Sequence, residues 1–138
     1  NEKIPQPNEL ILLAPWIDLT FSNPDVEEAE KLDPRNSISP LKAMAESWSN
    51  GDLMNYKVSP IFGSVVGLNN VTVITGTHDV LYPDSVKFVD MLNNAGVKNK
   101  FISANKMNHV YPVYPIPEAK IAINEICNII SNAYENNK

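Results

Sequence analysis

The chain has 138 residues, of which 43% are hydrophobic and 20% charged, and this fits one globular domain with a modest core. Its net charge of −5 argues against nucleic acid and against anionic membrane surfaces as partners. No stretch approaches the roughly 18 apolar residues of a membrane span, and no basic and then apolar leader is visible.

The only cysteine, Cys127, cannot form a disulfide within the chain. It lies in an apolar stripe, which predicts a buried thiol and fits a cytoplasmic protein, where thiols stay reduced. The chain begins with Asn1 rather than methionine, so we expect that an upstream segment is missing from it.

The first predicted strand is the apolar run from Glu9 to Trp16, which follows a polar loop. A continuous apolar run is typical of a central strand that is covered on both faces. Pro15 ends the strand because proline cannot donate to a sheet ladder. Asp18 lies at the start of the segment that leaves the sheet.

A helical insertion is predicted at about residues 24–60. A short acidic helix is expected over Asp25–Leu32, followed by a turn at residues 33–36. A second helix is expected to be capped by Ser39 and to end at Asn50. The insertion is too long for a plain connection, so we expect it to lie over the site.

The remainder of the chain alternates strands and helices. A buried strand begins at Val71 and ends at Gly76, where the backbone must bend. A helix capped by Asp84 or Ser85 then runs through Ala95. Its apolar stripe consists of Ser85, Phe88, Val89 and Leu92.

One more strand and one more helix are predicted after it, over Lys98–Ala104 and from Pro117 to about Tyr134. The helix has the clearest apolar stripe of the sequence, which predicts a core-facing side. Its members are Ala119, Ala122, Ile123, Ile126, Cys127, Ile130 and Ala133.

Strands that alternate with helices predict an α/β fold with a parallel sheet and crossover helices. Three strands are fewer than a complete doubly wound domain contains. We therefore interpret residues 1–138 as one portion of a single domain that is incomplete here. One apolar sheet edge is expected to lack a partner strand.

Two polar side chains follow strand ends, where catalytic groups collect in α/β sheets. Asp79 follows the strand that ends at Gly76, and His109 follows the next strand. An acid and then a histidine is the chain order of the acid and base in an α/β-hydrolase. Two alternatives stay open: Asp79 can be an ordinary turn residue and His109 an interior histidine. Asp84 is a rival acid, and His78, the other histidine, is expected to point elsewhere.

Other kinds of site have little support. Two histidines and one cysteine show no metal-ligand spacing, and no glycine-rich phosphate loop is present, so we expect no metal and no cofactor. The serine of Gly63–Gly67 occupies the second position, whereas a G-x-S-x-G nucleophile elbow needs it third. Several aromatic residues near the strand ends either pack or line an apolar pocket: Trp16, Trp48, Tyr82, Tyr111 and Tyr114.

Four blocks in order resemble the C-terminal half of α/β-hydrolases related to hormone-sensitive lipase, a group of esterases and lipases. They are Ala14-Pro-Trp-Ile-Asp-Leu19, Val58-Ser-Pro-Ile-Phe-Gly63, Gly76-Thr-His-Asp-Val-Leu-Tyr-Pro-Asp84 and Met107-Asn-His-Val-Tyr111. The resemblance implies a carboxylic-ester hydrolase in which Asp79 is the acid and His109 the base of a Ser-Asp-His triad. The nucleophile elbow and oxyanion loop of that family belong upstream of this chain.

We therefore expect a fragment of a serine esterase that acts, when complete, on small-molecule esters. Two alternatives stay open: a prolyl-oligopeptidase-like peptidase domain, which shares the acid and the histidine at strand ends, and a non-catalytic hydrolase-like binding module. The chain alone is expected to be inactive because it lacks a nucleophile. It is also expected to self-associate, since the apolar strand Leu10–Ala14 lacks the cover of the N-terminal half.

Overall fold

The structure is a computed structural model and describes residues 5–135. Three parallel strands form its sheet in the order β1-β2-β3. They are β1 (Leu10–Leu13), β2 (Val71–Gly76) and β3 (Asn99–Ala104). The predicted α/β class with a parallel sheet is confirmed, and all three carboxyl ends lie at one edge.

In the described residues, four α-helices accompany the sheet: α1 (Val26–Glu30), α2 (Ile38–Ser49), α3 (Tyr82–Asn94) and α4 (Pro117–Glu135). Two short 3-10 turns lie at Pro60–Phe62 and Tyr111–Val113. Within residues 5–135, none of the helices combines the length and the apolar character that crossing a bilayer requires.

β2 is the centre of the core, and all six of its residues are buried because it pairs on both sides. Val73 lies in one cluster with Leu92 of α3, whereas Ile74 lies in another with Ala122 of α4. Successive side chains of a strand point to opposite faces. The helices α3 and α4 therefore cover opposite faces of the sheet, and the predicted inner stripe of α3 is buried.

β1 differs from the central strand that its apolar run predicts. Among residues 5–135 it pairs with β2 alone, in register from Leu10 opposite Val71 to Leu13 opposite Ile74. Its side chains are only half-buried. The predicted apolar edge without a second partner strand is thus present in this part of the chain. Cover on the two faces is partial, since Leu10 and Leu12 pack against one core cluster and Ile11 and Leu13 against the other.

The helix α2 begins earlier than predicted. Its N-cap is Ser37, in extended conformation, rather than Ser39. Pro40 then lies in the first turn, where a backbone N–H has no partner within the helix and proline is tolerated. The predicted end at Asn50 is confirmed, with that residue in left-handed conformation.

The helix α3 also begins before its predicted caps. It starts at Tyr82, so Asp84 and Ser85 lie inside the first turn and neither caps the helix. Pro83 near the start again occupies a position that needs no N–H partner. Gly96, which has a positive φ of 67°, follows the end of the helix as predicted.

The helix α4 buries less of its apolar stripe than predicted. Ala119 and Ala122 are buried, whereas Ile123, Ile130 and Cys127 are exposed. The prediction of a buried thiol is therefore wrong. A helix of 19 residues is about 28 Å long, while the strands of six residues span about 20 Å. The helix is thus longer than the strands, and its side with Ile123, Cys127 and Ile130 is left uncovered within residues 5–135.

Candidate active site

The loops after β2 and β3 are held together by their backbones at the carboxyl edge. The amide of Thr77 donates to the carbonyl of Ala104 (3.0 Å), and the amide of His78 donates to the carbonyl of Met107 (2.9 Å). A Cβ atom on Gly76 would lie 1.9 Å from the Met107 carbonyl oxygen, so only glycine permits this approach. This contact determines how close the two loops come.

The close approach brings together the two side chains that follow these strands. His109 Nδ1 lies 3.0 Å from Asp79 Oδ2. Asp79 is fully buried, and its other oxygen accepts a hydrogen bond from the amide of Leu81 (3.0 Å). The His109 side chain remains 29% exposed. The structure therefore places the acid and the histidine that follow successive strands within hydrogen-bond distance, with the acid shielded from water and the imidazole accessible.

The contact with Asp79 changes the protonation equilibrium of the imidazole. The hydrogen bond to Asp79 raises the pKa of His109 above its ordinary value, and partial burial opposes this rise. The negative charges of Asp79 and Asp33 also raise this pKa, while the positive charge of Arg35 lowers it. The surroundings of His109 thus favour the imidazolium, which is the state that a general base reaches when it takes a proton.

The backbone beside His109 is strained. Val110 has φ 46° and ψ 36°, a left-handed conformation that is a true outlier for a β-branched residue. Tyr111 follows and is buried in one cluster with Ile74 and Ala122. Packing of the tyrosine against the sheet and α4 maintains the strained turn, and the turn positions the histidine.

Asp84, the rival acid, makes no contact with His109. It is 1% exposed, and its Oδ1 accepts a hydrogen bond from Asn23 Nδ2 (3.0 Å). Its Oδ2 is buried and has no hydrogen-bond partner in the described part of the chain. Burial raises the pKa of Asp84, as does the charge of Asp18, while Asn23 and Lys87 act in the opposite direction. This side chain belongs to the first turn of α3.

Asp18, the buried aspartate after β1, is satisfied within its own loop. Its Oδ1 accepts a hydrogen bond from the Thr20 amide (2.8 Å), and its Oδ2 accepts one from Ser22 Oγ (3.0 Å). The serine of the rejected nucleophile pattern, Ser64, is exposed and accepts a bond from the Val66 amide. Within residues 5–135, no three histidine, cysteine or acidic residues are grouped as metal ligands would be.

Of the predicted aromatic residues, Tyr111 lies in the cluster with Ile74 and Tyr114 packs against it, whereas the other three lie in two further places. Trp16 lies 5.7 Å from Phe21 and 5.8 Å from Trp48, measured between ring centroids, and Trp48 is 64% exposed. Tyr82 stacks on Phe101 and shares a hydrogen bond with Ser103. These contacts are packing contacts, and Trp48 remains exposed to solvent on its other side.

Sequence reasoning identified residues 33–36 only as a turn, and the structure gives this turn a place at the site. Asp33 accepts hydrogen bonds from the amides of Arg35 (2.8 Å) and Asn36 (3.0 Å), as aspartate commonly does in turns. Its Oδ2 also accepts a hydrogen bond from the amide of Val80 (2.9 Å), next to Asp79. The local bonds have a sequence signal, whereas a bond across 47 residues has none.

Comparisons with known proteins agree with this fold. A family model for the α/β-hydrolase fold matches residues 1–113. An esterase from Acinetobacter venetianus is 29% identical over 130 residues, which cover 91% of this chain and 43% of that protein. A hormone-sensitive lipase from a metagenome library has a similar structure, with a TM-score of 0.91 and 29% identity over 96% of this chain and 46% of that one.

A second solved structure, EstE7, a homologue of hormone-sensitive lipase from a metagenome library, gives a TM-score of 0.89 at 29% identity. That match covers 94% of this chain and 46% of EstE7, so the chain spans less than half the length of these relatives. The resemblance to esterases related to hormone-sensitive lipase is confirmed. Because the family model matches most of its length, this chain belongs to the family of α/β-hydrolase fold proteins.

Proposed function

We propose that the complete protein is a carboxylic-ester hydrolase in which Asp79 and His109 are the acid and base of a Ser-His-Asp triad. The observation that carries the proposal is the distance of 3.0 Å between His109 Nδ1 and Asp79 Oδ2 at the carboxyl edge of the sheet. The relatives named esterase and hormone-sensitive lipase support the same reaction class. The nucleophilic serine and the oxyanion donors are assigned to a segment outside this chain.

In this mechanism the two residues have different tasks. Asp79 accepts the Nδ1–H of His109, which fixes the tautomer and leaves Nε2 free to accept a proton. As the serine oxygen attacks the ester carbonyl carbon, Nε2 takes the serine proton, and the buried carboxylate stabilises the imidazolium. The imidazolium then protonates the leaving alcohol, and an acyl-enzyme remains.

The second half of the reaction uses the same base. Nε2 takes a proton from water as the water oxygen attacks the acyl carbon, and the carbon–serine bond breaks with return of that proton to the serine. A carboxylic acid is released, and the enzyme is regenerated. The accessible imidazole and the shielded carboxylate fit this division of labour. Small-molecule esters with short or medium acyl chains are the proposed substrates.

The test uses the full-length protein with p-nitrophenyl acetate and butyrate. We expect ester turnover that a serine-directed phosphonate blocks, and a loss of about 10⁴-fold or more in His109→Gln. Full turnover in His109→Gln would contradict the proposal. Cleavage of peptides after proline in place of esters would favour a prolyl-oligopeptidase-like peptidase, and binding without turnover of either substrate would favour a non-catalytic module.

The chain of residues 1–138 alone is proposed to be inactive and to self-associate. Two features of residues 5–135 support association between copies of the chain. They are the edge of the apolar strand β1 that pairs with no strand there, and the exposed Ile123 and Ile130 of α4. Sedimentation of residues 1–138 as a monomer at high concentration would contradict association. Phosphonate-sensitive ester turnover by this chain alone would contradict its inactivity. A cytoplasmic location stays a prediction from the single cysteine.

A further inference from the structure

The turn between α1 and α2, residues 33–36, contacts the loop that carries Asp79. Asp33 is half-buried, and its Oδ1 accepts hydrogen bonds from the amides of Arg35 and Asn36. Its Oδ2 lies 2.9 Å from the amide nitrogen of Val80. One carboxylate therefore joins its own turn to a loop that follows 47 residues later.

The same turn also contacts the segment that follows His109. The guanidinium carbon of Arg35 lies 5.2 Å from the centroid of the Tyr114 ring, within the range of a cation–π contact. Glu30 at the end of α1 accepts a hydrogen bond from the amide of Ile38 at the start of α2 (2.6 Å), which connects the helices on both sides of the turn. The turn of residues 33–36 thus contacts both the loop that carries Asp79 and the segment that follows His109.

The hydrogen bond of the Val80 amide affects the backbone conformation of Asp79. The nitrogen of Val80 and the carbonyl of Asp79 belong to one planar peptide group, so a bond that holds this N–H also fixes the backbone of Asp79. The next amide, that of Leu81, donates to Asp79 itself. Val80 is fully buried in one cluster with Val26 of α1, so an N–H released by Asp33 finds little access to water.

We propose that Asp33 is a positioning residue of the ester hydrolase: its carboxylate fixes the Val80 peptide and with it the direction of Asp79 toward His109. This inference rests on the proposed function. It gives the predicted insertion at residues 24–60 a direct connection to the catalytic pair. Asp33 acts through Val80 and through its charge, and it has no contact with the reacting atoms in this role.

The charge of Asp33 adds a second effect on the same pair. Burial acts to raise the pKa of Asp33, but the hydrogen bonds from Val80, Asn36 and Arg35 lower it below its usual value, so the carboxylate stays ionised. The charged groups that act on His109 are Asp79 and Asp33, which raise its pKa, and Arg35, which lowers it. Removal of the Asp33 charge should therefore lower the pKa of the general base.

The experiment compares Asp33→Ala, Asp33→Asn and Asp79→Asn with the wild type in the full-length protein. For Asp33→Ala we expect kcat to fall by about tenfold to a hundredfold with little change in KM, because a small displacement of catalytic groups costs rates of this size. For Asp33→Asn, which keeps the size and one acceptor oxygen, we expect the acidic limb of kcat/KM to move to lower pH.

Asp52→Asn is the matched control, because Asp52 is an exposed turn aspartate of the same insertion. Its carboxylate accepts a hydrogen bond from the nearby Asn55 side chain. It should change neither kcat nor the pH profile. A folded Asp33→Ala with wild-type kcat, an unmoved acidic limb in Asp33→Asn, or loss of folding in both variants would overturn the positioning role. Wild-type turnover in Asp79→Asn would instead overturn the proposed function.

Discussion

The loops after β1 and β2 each contain a buried aspartate, and the two differ in what these aspartates bind. Asp18 and Asp79 are both fully buried. Asp18 accepts hydrogen bonds from Thr20 and Ser22, which lie within its own loop. Asp79 also accepts one from its own loop, but its second oxygen faces a histidine from the next strand. A buried acid at a strand end is therefore not by itself a catalytic candidate, and its titratable partner makes the distinction.

The strand order explains why the partner reaches only one of the two acids. β2 lies between β1 and β3, so the loops after β2 and β3 are direct neighbours. Adjacent strands are about 4.8 Å apart, which places β1 about 10 Å from β3. The histidine loop after β3 is therefore within hydrogen-bond reach of Asp79 and one strand further from Asp18.

The largest expected effect separates these two aspartates directly. Asp79→Asn in the full-length protein should fold and lose ester turnover by up to about 10⁴-fold, because the amide holds the wrong imidazole tautomer. Asp18→Asn should lose far less turnover, since its partners are two local hydroxyls and an amide. Steady-state kinetics on p-nitrophenyl butyrate measures the loss of turnover in each variant. Equal losses in Asp79→Asn and Asp18→Asn would contradict a catalytic role of Asp79 alone.

The next effect tests the contact that joins the loops after β2 and β3. Gly76→Ala should lower the free energy of unfolding by about 3 kcal/mol, because the new Cβ meets the backbone of Met107 and neither strand end can move aside easily. Gly63→Ala is the control, since its Cβ would lie 3.2 Å from the Pro60 carbonyl oxygen. Urea unfolding measures both, and a Gly76→Ala variant as stable as Gly63→Ala would mean that the two loops are not in close contact.

A smaller effect concerns pH. Because the hydrogen bond to Asp79 raises the pKa of His109, the acidic limb of kcat/KM should lie above the ordinary histidine value of about 6.5. The raised pKa also stabilises the fold below the unfolded value, and this contribution is lost as pH rises through the folded value. The difference in melting temperature between wild type and His109→Gln should therefore be larger at low pH than at high pH. Asp18→Asn should not shift the acidic limb of kcat/KM.

The smallest effect concerns the third buried aspartate, Asp84. Asp84→Asn should raise the free energy of unfolding at neutral pH by about 1 kcal/mol. The substitution removes a buried charge that lies near Asp18, and the Oδ2 atom of Asp84 has no partner in the described chain. The folded pKa is raised, so the cost of the carboxylate appears as pH rises above the unfolded value and is absent in acid. Thermal melts at neutral and acidic pH test this, and a variant less stable than wild type at neutral pH would contradict it.

The sequence predicts the parts of the fold that have a local pattern. The β-branched run of β2, the stripe of α3 and the order of Asp79 before His109 follow from spacing, and each agrees with the structure in position. The starts of α2 and α3 were misplaced because a favourable cap residue and a proline inside the first turn satisfy the same pattern.

Contacts between distant segments have no such pattern. The bond from the Val80 amide to Asp33 depends on where α1 and α2 place their connecting turn, which spacing along the chain does not reveal. The exposure of Cys127 depends on which elements pack against that side of α4. Periodicity identifies an apolar stripe, but the area available to bury it is a tertiary property.

The left-handed conformation of Val110 makes the histidine loop a place where two kinds of selection should act in opposite directions. A strained β-branched residue costs about 1–3 kcal/mol, more than the roughly 1 kcal/mol that glycine adds in chain entropy. Directed evolution for heat resistance should therefore enrich Val110→Gly. Evolution for turnover should retain valine, because a freer backbone beside His109 disperses the position of the imidazole. The histidine loop is thus where adaptation to high temperature and adaptation to fast catalysis would diverge in descendants of this protein.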